Sequence, residues 1–258
     1  MNYLHISDLS LSFGGLKALS GVSLDTRQGE IFGVIGPNGA GKTTLFNVIA
    51  GVYKPLRGSV AFLQRPIGGL AVDRIARLGI GRTFQAATVF KGASVRQNLL
   101  RAGEFARHPF PSLGRLLRSA QDGASADIQA EADAVLQFIA MQELAEAEAS
   151  SLAYGHQKVL GVGMAMMTRP KMVLMDEPAA GLNSTEKVTM KNLIRRMRDE
   201  RGISVLVVEH DMSLIMDVCD RILVLNRGVP IMTGTPQEVQ AHPEVIDAYL
   251  GSEEHAAA

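Results

Sequence analysis

The stretch GPNGAGKTT, Gly36 to Thr44, constrains this chain more tightly than any other segment. It lies between the apolar runs EIFGVI and LFNVIAG, so a strand feeds a glycine-rich turn that opens a helix. A plain linker needs glycines but no fixed lysine, and no pair of hydroxyls directly after it. Glycines let the backbone turn its N–H groups inward as a nest for anions. A helix N-terminus adds partial positive charge at the same point. The spacing G-x-x-x-x-G-K-[ST] predicts a phosphate site wrapped by Gly36, Asn38, Gly39, Ala40 and Gly41. In it Lys42 would reach the β- and γ-phosphates of a nucleoside triphosphate, Thr43 would place its hydroxyl on Mg²⁺, and Thr44 would touch the α-phosphate.

Such a loop needs an acid on the metal side, and MVLMDE supplies one: an apolar strand ends in Asp176, followed by Glu177. Asp176 is expected to hold Mg²⁺, usually through water. Glu177 is placed to orient and deprotonate an attacking water. The chain has no Asn-Lys-x-Asp base reader of the GTPase kind and no arginine-rich lid of the small-molecule-kinase kind.

Composition narrows the setting. The chain has 258 residues, 47 % hydrophobic and only 5 % aromatic, so its core must be aliphatic, as in parallel strands buried on both faces. Lys+Arg and Asp+Glu both number 26, so no overall basic excess points to nucleic acid. The single cysteine, Cys219, fits a reducing compartment and reads as a small buried hydrophobe. The start MNYLHISDLSLSF lacks the pattern of a signal peptide, and no apolar run approaches the ~20 residues that span a bilayer.

Along the chain, YLHISDLSLSF, GVSLDTRQGEIFGVIG and RGSVAFLQ read as strands and DRIARLG as a short helix, forming a mixed sheet around the loop. From Val95 to Ser150 the patterns are helical, with surface breaks at HPFPS (108–112) and SAQDGASAD (119–127). LGRLLRS between them reads as a solvated helix face. Strands return at KMVLMDEP and ISVLVVEHD, with a helix from Thr185 to Glu200 between them. DRILVLNRG and VPIMTGTP read as a hairpin, and Pro236 to Leu250 as a last helix. The tail, 251–258, is expected to be disordered. These patterns give an α/β nucleotide-binding core in one domain, 1–258, with a helical insert at about 86–165.

Further motifs make the chain resemble the ATPases of ABC transporters. Gln85 in GRTFQ is similar to the family glutamine that touches Mg²⁺ and the attacking water. LAYGH, from Leu152 to His156, resembles the family signature LSGGQ. His210 in VVEHD resembles the histidine that contacts the γ-phosphate. AAGLN, 179–183, resembles the D-loop, and Phe13 in LSFGGLKAL the aromatic that stacks on adenine. The resemblance implies a P-loop NTPase fold, an ABC ATPase core of mixed sheet plus an α-helical subdomain. It also implies ATP and Mg²⁺ as cofactors and a head-to-tail pair of cassettes. Ala153, Tyr154, Gly155 and His156 of one chain would then meet the ATP held by the other. Gly155 and His156 would open a helix whose free N–H groups suit a γ-phosphate.

More closely, GGLKAL, VFKGASVRQNLL, DEPAAGLN, VVEHDMSLIMDVCDRILVLNRG and GTPQEVQAHPEVIDAYLG resemble the ATPases of branched-chain amino acid importers. That implies a second ABC ATPase chain, paralogue or self, and two transmembrane permease subunits met between Ala86 and Asn98. It further implies, indirectly, a periplasmic solute-binding protein, a peripheral place on the cytoplasmic face of the inner membrane, and no nucleic acid. An exporter ATPase for lipids or lipopolysaccharide, or a soluble non-transport ABC ATPase, stays open at this level. In the helix after LAYG, Gly161 and Gly163 would each cost about 1 kcal/mol relative to alanine.

Overall fold

The computed structural model describes residues 3–83, 89–107 and 125–254. A six-stranded sheet forms the centre, in the order β10-β9-β3-β8-β7-β6. Its strands are β3 (Ile31–Ile35), β6 (Ile80–Arg82), β7 (Met172–Asp176), β8 (Ser204–Val208), β9 (Arg221–Asn226) and β10 (Val229–Gly234). All neighbours run parallel except the hairpin β9/β10. Every residue of β3, β7 and β8 is buried. Continuous runs such as IFGVI and SVLVV suit strands covered on both faces.

A second, antiparallel sheet holds β1 (Leu4–Phe13), β2 (Leu16–Asp25), β4 (Arg57–Phe62) and β5 (Arg65–Pro66), in the order β2-β1-β4-β5. The sequence suggested one mixed sheet; the structure divides the strands between two. The reason lies in their burial. β1, β2 and β4 alternate between buried and exposed positions, so each can bury only one face. Helix α1 (Lys42–Ile49) lies in the core between the two sheets. There Leu45, Phe46 and Ile49 pack with Phe32, Val34, Leu174 and Leu206 from one face of the central sheet and with Leu4, Ile6 and Leu9 from the other sheet. Burying each such side chain fully contributes about 1.5–3 kcal/mol.

The opposite face of the central sheet, with Ile31, Ile35, Val173, Met175 and Val207, packs on helices. Those described between β6 and β7 are α3 (Val95–Arg107), α4 (Ala126–Phe138) and α5 (Tyr154–Met166), with two short 3₁₀ turns. α5 forms despite its glycines. A Cβ on Gly163 would stand 2.9 Å from Ile139 and 3.2 Å from Leu99, so the missing side chain lets the helices approach. Short α2 (Val72–Arg77) precedes β6. After β7 come α6 (Ser184–Arg201), α7 (Met212–Val218), α8 (Pro236–Ala241) and α9 (Pro243–Glu254).

The C-terminal segment departs from the sequence reading in two ways. The expected single helix is two, because Pro243 has no N–H to continue α8 and restricts the residue before it. α9 also runs to Glu254, four residues into the segment expected to be disordered. Residues 255–258, the segment 108–124 with LGRLLRS, and residues 84–88 with Gln85 lie outside the described residues. Among the described residues no helix is long and apolar enough to cross a membrane.

Candidate functional site

Strand register brings the site together. Val34 of β3 pairs with Val208 of β8, and Val208 also pairs with Asp176 of β7. Three neighbouring parallel strands therefore end at one level. The glycine-rich turn leaves β3 there, Glu177 leaves β7, and Glu209–His210 leave β8. Ligands of open α/β sheets bind at this carboxyl edge.

The turn itself is built as the spacing predicts. Gly36 has φ 151°, and a Cβ there would lie 2.1 Å from the Leu225 carbonyl oxygen. Gly41, with φ 99°, caps α1, and its Cβ would meet the Ala18 carbonyl at 2.6 Å. Neither position tolerates a side chain. Lys42 is buried, and its Nζ donates to the carbonyls of Gly36 (2.7 Å) and Pro37 (3.0 Å). Burial lowers the Lys42 pKa, while Glu177 and Asp176 oppose that shift. Thr43 is exposed in the first turn of α1, Thr44 is half-buried, and no acid stands in that turn to repel an anion. Asn38 and Gly39 are exposed at the crown; Ala40 is buried, its carbonyl accepting from the Gly228 N–H at 3.0 Å.

Asp176 is buried at the end of β7. Burial raises its pKa, and the Arg82 guanidinium, 3.2 Å away, opposes this. The Arg82 side chain also donates to Asn47 of α1 at 2.8 Å, so one guanidinium ties the acid to the helix after the glycine turn. Glu177 sits in the left-handed region at φ 47°, its N–H donating to the Val208 carbonyl at 2.9 Å. Strained backbone of this kind clusters at functional sites. His210 Nδ1 lies 3.8 Å from a Glu177 oxygen and 3.8 Å from a Glu209 oxygen, with its ring largely exposed.

Phe13 is 43 % exposed at the end of β1 and meets Tyr53 edge-on, the centroids 5.1 Å apart. Ala153 caps α5 without a side-chain hydrogen bond, and no acid stands in that first turn. Tyr154 and His156 are exposed there and Gly155 is buried. A Cβ on Gly155 would meet Glu186 Oε1 at 2.3 Å. Glu186 is the capping-box residue of α6, whose N-cap is Asn183. The helix opened by LAYGH therefore rests directly on the segment AAGLN.

Three side chains here were not singled out from the sequence: Arg82, Lys158 and Glu209. Lys158 is buried in α5, and its Nζ donates to the Glu177 carbonyl at 3.0 Å and lies over the Tyr154 ring. Glu209 is fully buried and accepts from the N–H groups of Ala179 (2.6 Å), His210 (3.0 Å) and Asp211 (3.2 Å). The VVEHD motif contains this glutamate, but only the β7–β8 register shows that it joins two loops. A cavity of about 380 Å³ lies nearby, lined by Arg82, Phe90, Phe105, Lys158, Gly161 and Met164 among others.

This arrangement coincides with a match to a family model. The model described as "ABC transporter" matches residues 19–180. The chain belongs to the ABC transporter ATPase family. A second model, "Branched-chain amino acid ATP-binding cassette transporter", matches residues 230–255. The high-affinity branched-chain amino acid transport ATP-binding protein LivG of Salmonella typhimurium is 42 % identical over 248 residues, 96 % of this chain and 97 % of that protein. BraF of Pseudomonas aeruginosa, which carries the same description, is 40 % identical over 258 residues, with 96 % and 97 % covered. Among solved structures, a nucleotide-free ATP-binding cassette from an ABC transporter superposes with TM-score 0.85 at 32 % identity, covering 96 % of this chain and 99 % of that one. The ADP conformation of the cassette MJ1267 gives 0.86 at 31 % identity, covering 97 % and 99 %. As a member of the family, this chain is an ATP-binding, ATP-hydrolysing cassette with the α/β core and helical elements expected for one.

Proposed function

We propose that this cassette powers the uptake of branched-chain amino acids, or closely related small molecules, through partner membrane subunits. The observation that carries the catalytic part is the convergence of Lys42, Asp176, Glu177 and His210 at one sheet edge. The cargo rests on the similarity to LivG and BraF and on the match at 230–255.

In this reading ATP lies along Gly36–Thr44, with Phe13 against the adenine. Lys42 exchanges the carbonyls of Gly36 and Pro37 for β- and γ-phosphate oxygens, and Thr44 meets the α-phosphate. The donor set fits Mg²⁺, which prefers hard oxygens, keeps several waters and takes one or two protein ligands beside phosphates. Thr43, Gln85 and Asp176 would hold it. When bound, the ion neutralises charge on the β- and γ-phosphates. Glu177 orients the attacking water and accepts its proton, and His210, within 3.8 Å of Glu177, holds the γ-phosphate beside it.

A second cassette, paralogue or self, closes the site with its Ala153, Tyr154, Gly155 and His156. Uncapped amides at the start of α5 support that role. The bound triphosphate favours the closed pair and hydrolysis releases it, which is the differential affinity that a switch requires. The apolar cavity beside Phe90 and Phe105 is the proposed seat for a helical segment of one of two permease subunits, the other being seated on the second cassette. The cassette then sits at the cytoplasmic face of the inner membrane, and a periplasmic solute-binding protein delivers cargo from the other side.

Glu177→Gln should abolish turnover and trap an ATP-bound pair; turnover at the wild-type rate would remove Glu177 as the base. Deletion of the gene should abolish uptake of labelled leucine, restored by the wild type and not by Glu177→Gln. Unchanged uptake in the deletion strain would overturn the cargo.

A further inference from the structure

Helix α6 carries Lys187, Lys191 and Arg195 at four-residue spacing, so the three cations share one face. Asp211, Ser213 and Asp217, at and along α7, meet them. Lys187 Nζ stands 2.6 Å from Asp211 Oδ2. Lys191 Nζ donates to Ser213 Oγ at 3.0 Å and lies 3.3 Å from Asp217 Oδ2. Arg195 donates to the Asp217 carbonyl at 2.8 Å and pairs with its carboxylate. The two helices are thus joined by a ladder of polar contacts whose rungs differ in place.

Lys187 is the rung at the His210 end. α6 is capped by Asn183, the last residue of AAGLN, the segment on which the helix opened by LAYGH rests. α7 is capped by Asp211, the residue after His210. Asp211 divides its carboxylate between two tasks. Oδ1 accepts from the Leu214 N–H at 3.1 Å as the cap, and Oδ2 faces Lys187. The other two rungs meet α7 beyond its capping residue. The Lys187 side chain is 38 % exposed, and ion pairs of that kind contribute little to stability. Removing it should leave the fold standing, so an effect on turnover can be read by itself.

We propose that Lys187 is a positioning residue for His210: through Asp211 it ties the turn that carries the histidine to the start of α6, and so to the segment AAGLN. This rests on the reading of His210 as the group that holds the γ-phosphate. In the closed pair the tie keeps His210 in register with AAGLN and the signature helix resting on it.

The test measures ATP turnover and Tm on the full chain, at protein concentrations where the wild type is active. The variants are Lys187→Ala, Lys187→Arg, Lys191→Ala, Asp211→Asn, the double variant Lys187→Ala/Asp211→Asn, and His210→Ala. Lys187→Ala should lower kcat about three- to tenfold, because small misplacements of a catalytic group are expensive, at nearly unchanged KM for ATP and Tm. Lys187→Arg keeps the charge and should restore most of the rate. Asp211→Asn keeps a capping oxygen and loses the ion pair. It should fall to a similar level, and the double variant no further, as for two residues acting through one contact. Lys191→Ala removes the next rung and should keep kcat within about twofold of wild type. Wild-type kcat in Lys187→Ala would overturn the proposal. So would equal losses in Lys187→Ala and Lys191→Ala, or additive losses in the double variant, because helix packing or overall charge would then explain them. His210→Ala keeps the two readings apart. If it abolishes turnover while Lys187→Ala is normal, only the role of Lys187 fails. If His210→Ala turns over at the wild-type rate, the assignment of His210 itself fails.

Discussion

Replacing Glu209 by glutamine tests whether the loops after β7 and β8 act as one unit. The carboxylate is fully buried and meets donors at both oxygens: Ala179 at one, His210 and Asp211 at the other. Burial raises its pKa, the three backbone N–H groups oppose that shift, and Lys158 stands near as a counter-charge. An amide has one acceptor end and one donor end. Whichever way the new amide turns, its NH₂ faces a backbone N–H and at least one bond is lost. Hydrogen bonds to charged groups contribute about 1.5–3 kcal/mol, and a buried N–H left unpaired costs a further ~1–3 kcal/mol. Relief from burying a charge offsets part of this, leaving a net loss of about 1–3 kcal/mol. At about 2–4 °C per kcal/mol for a chain of this size, Tm should fall by roughly 3–10 °C. Because Ala179 and His210 shift together, ATP turnover should fall about tenfold or more, since small misplacements of catalytic groups are expensive. Thermal melts and a phosphate-release assay on the same preparations measure both. A variant with wild-type Tm and wild-type turnover would refute the coupling.

Other outcomes follow from single contacts. Lys42→Ala should lose nucleotide binding in a titration with a fluorescent ATP analogue, and retained micromolar affinity would count against the turn. Gly155→Ala places a methyl 2.3 Å from Glu186 Oε1 and so pushes away the carboxylate that accepts from Asn183 N–H at 2.9 Å. The lost bond, ~0.5–1.5 kcal/mol, is offset by the better helix propensity of alanine, up to ~1 kcal/mol. Thermal melts should therefore show little change while ATP turnover falls; a large drop in Tm with turnover intact would contradict this. Cys219 is buried, and burial pushes its thiol pKa far up, with Asp220 and Glu30 adding to the shift. Alkylation by iodoacetamide, followed by mass spectrometry, should be slow in the folded chain and fast in denaturant.

How much of this could be read from the sequence depended on how local each determinant is. The glycine turn, the acids after MVLM and the burial of the parallel strands follow from spacing and periodicity within short windows. Strand partners do not. The split into two sheets depends on which half-buried strands find one another, and β6, only three residues long, is too short to show a period. The break before Pro243 was written in the sequence as HP, yet the apolar positions on either side read as one helix. Glu209 was visible as a letter in VVEHD, but its contact with Ala179 exists only after the strands align. Arg82 and Lys158 were hidden for the same reason. Arg82 reaches an acid 94 residues further along the chain, and Lys158 a carbonyl 19 residues further.

The central claim is that ATP is hydrolysed only where the glycine turn of one cassette meets the signature helix of another. Turnover per chain, measured across protein concentration with sedimentation under the same conditions, tests it most directly. The account predicts that specific activity vanishes on dilution as paired cassettes dissociate, and returns with protein concentration or with added partner cassette. Full activity per chain in a sample that sediments as a monomer of 27.7 kDa would contradict it.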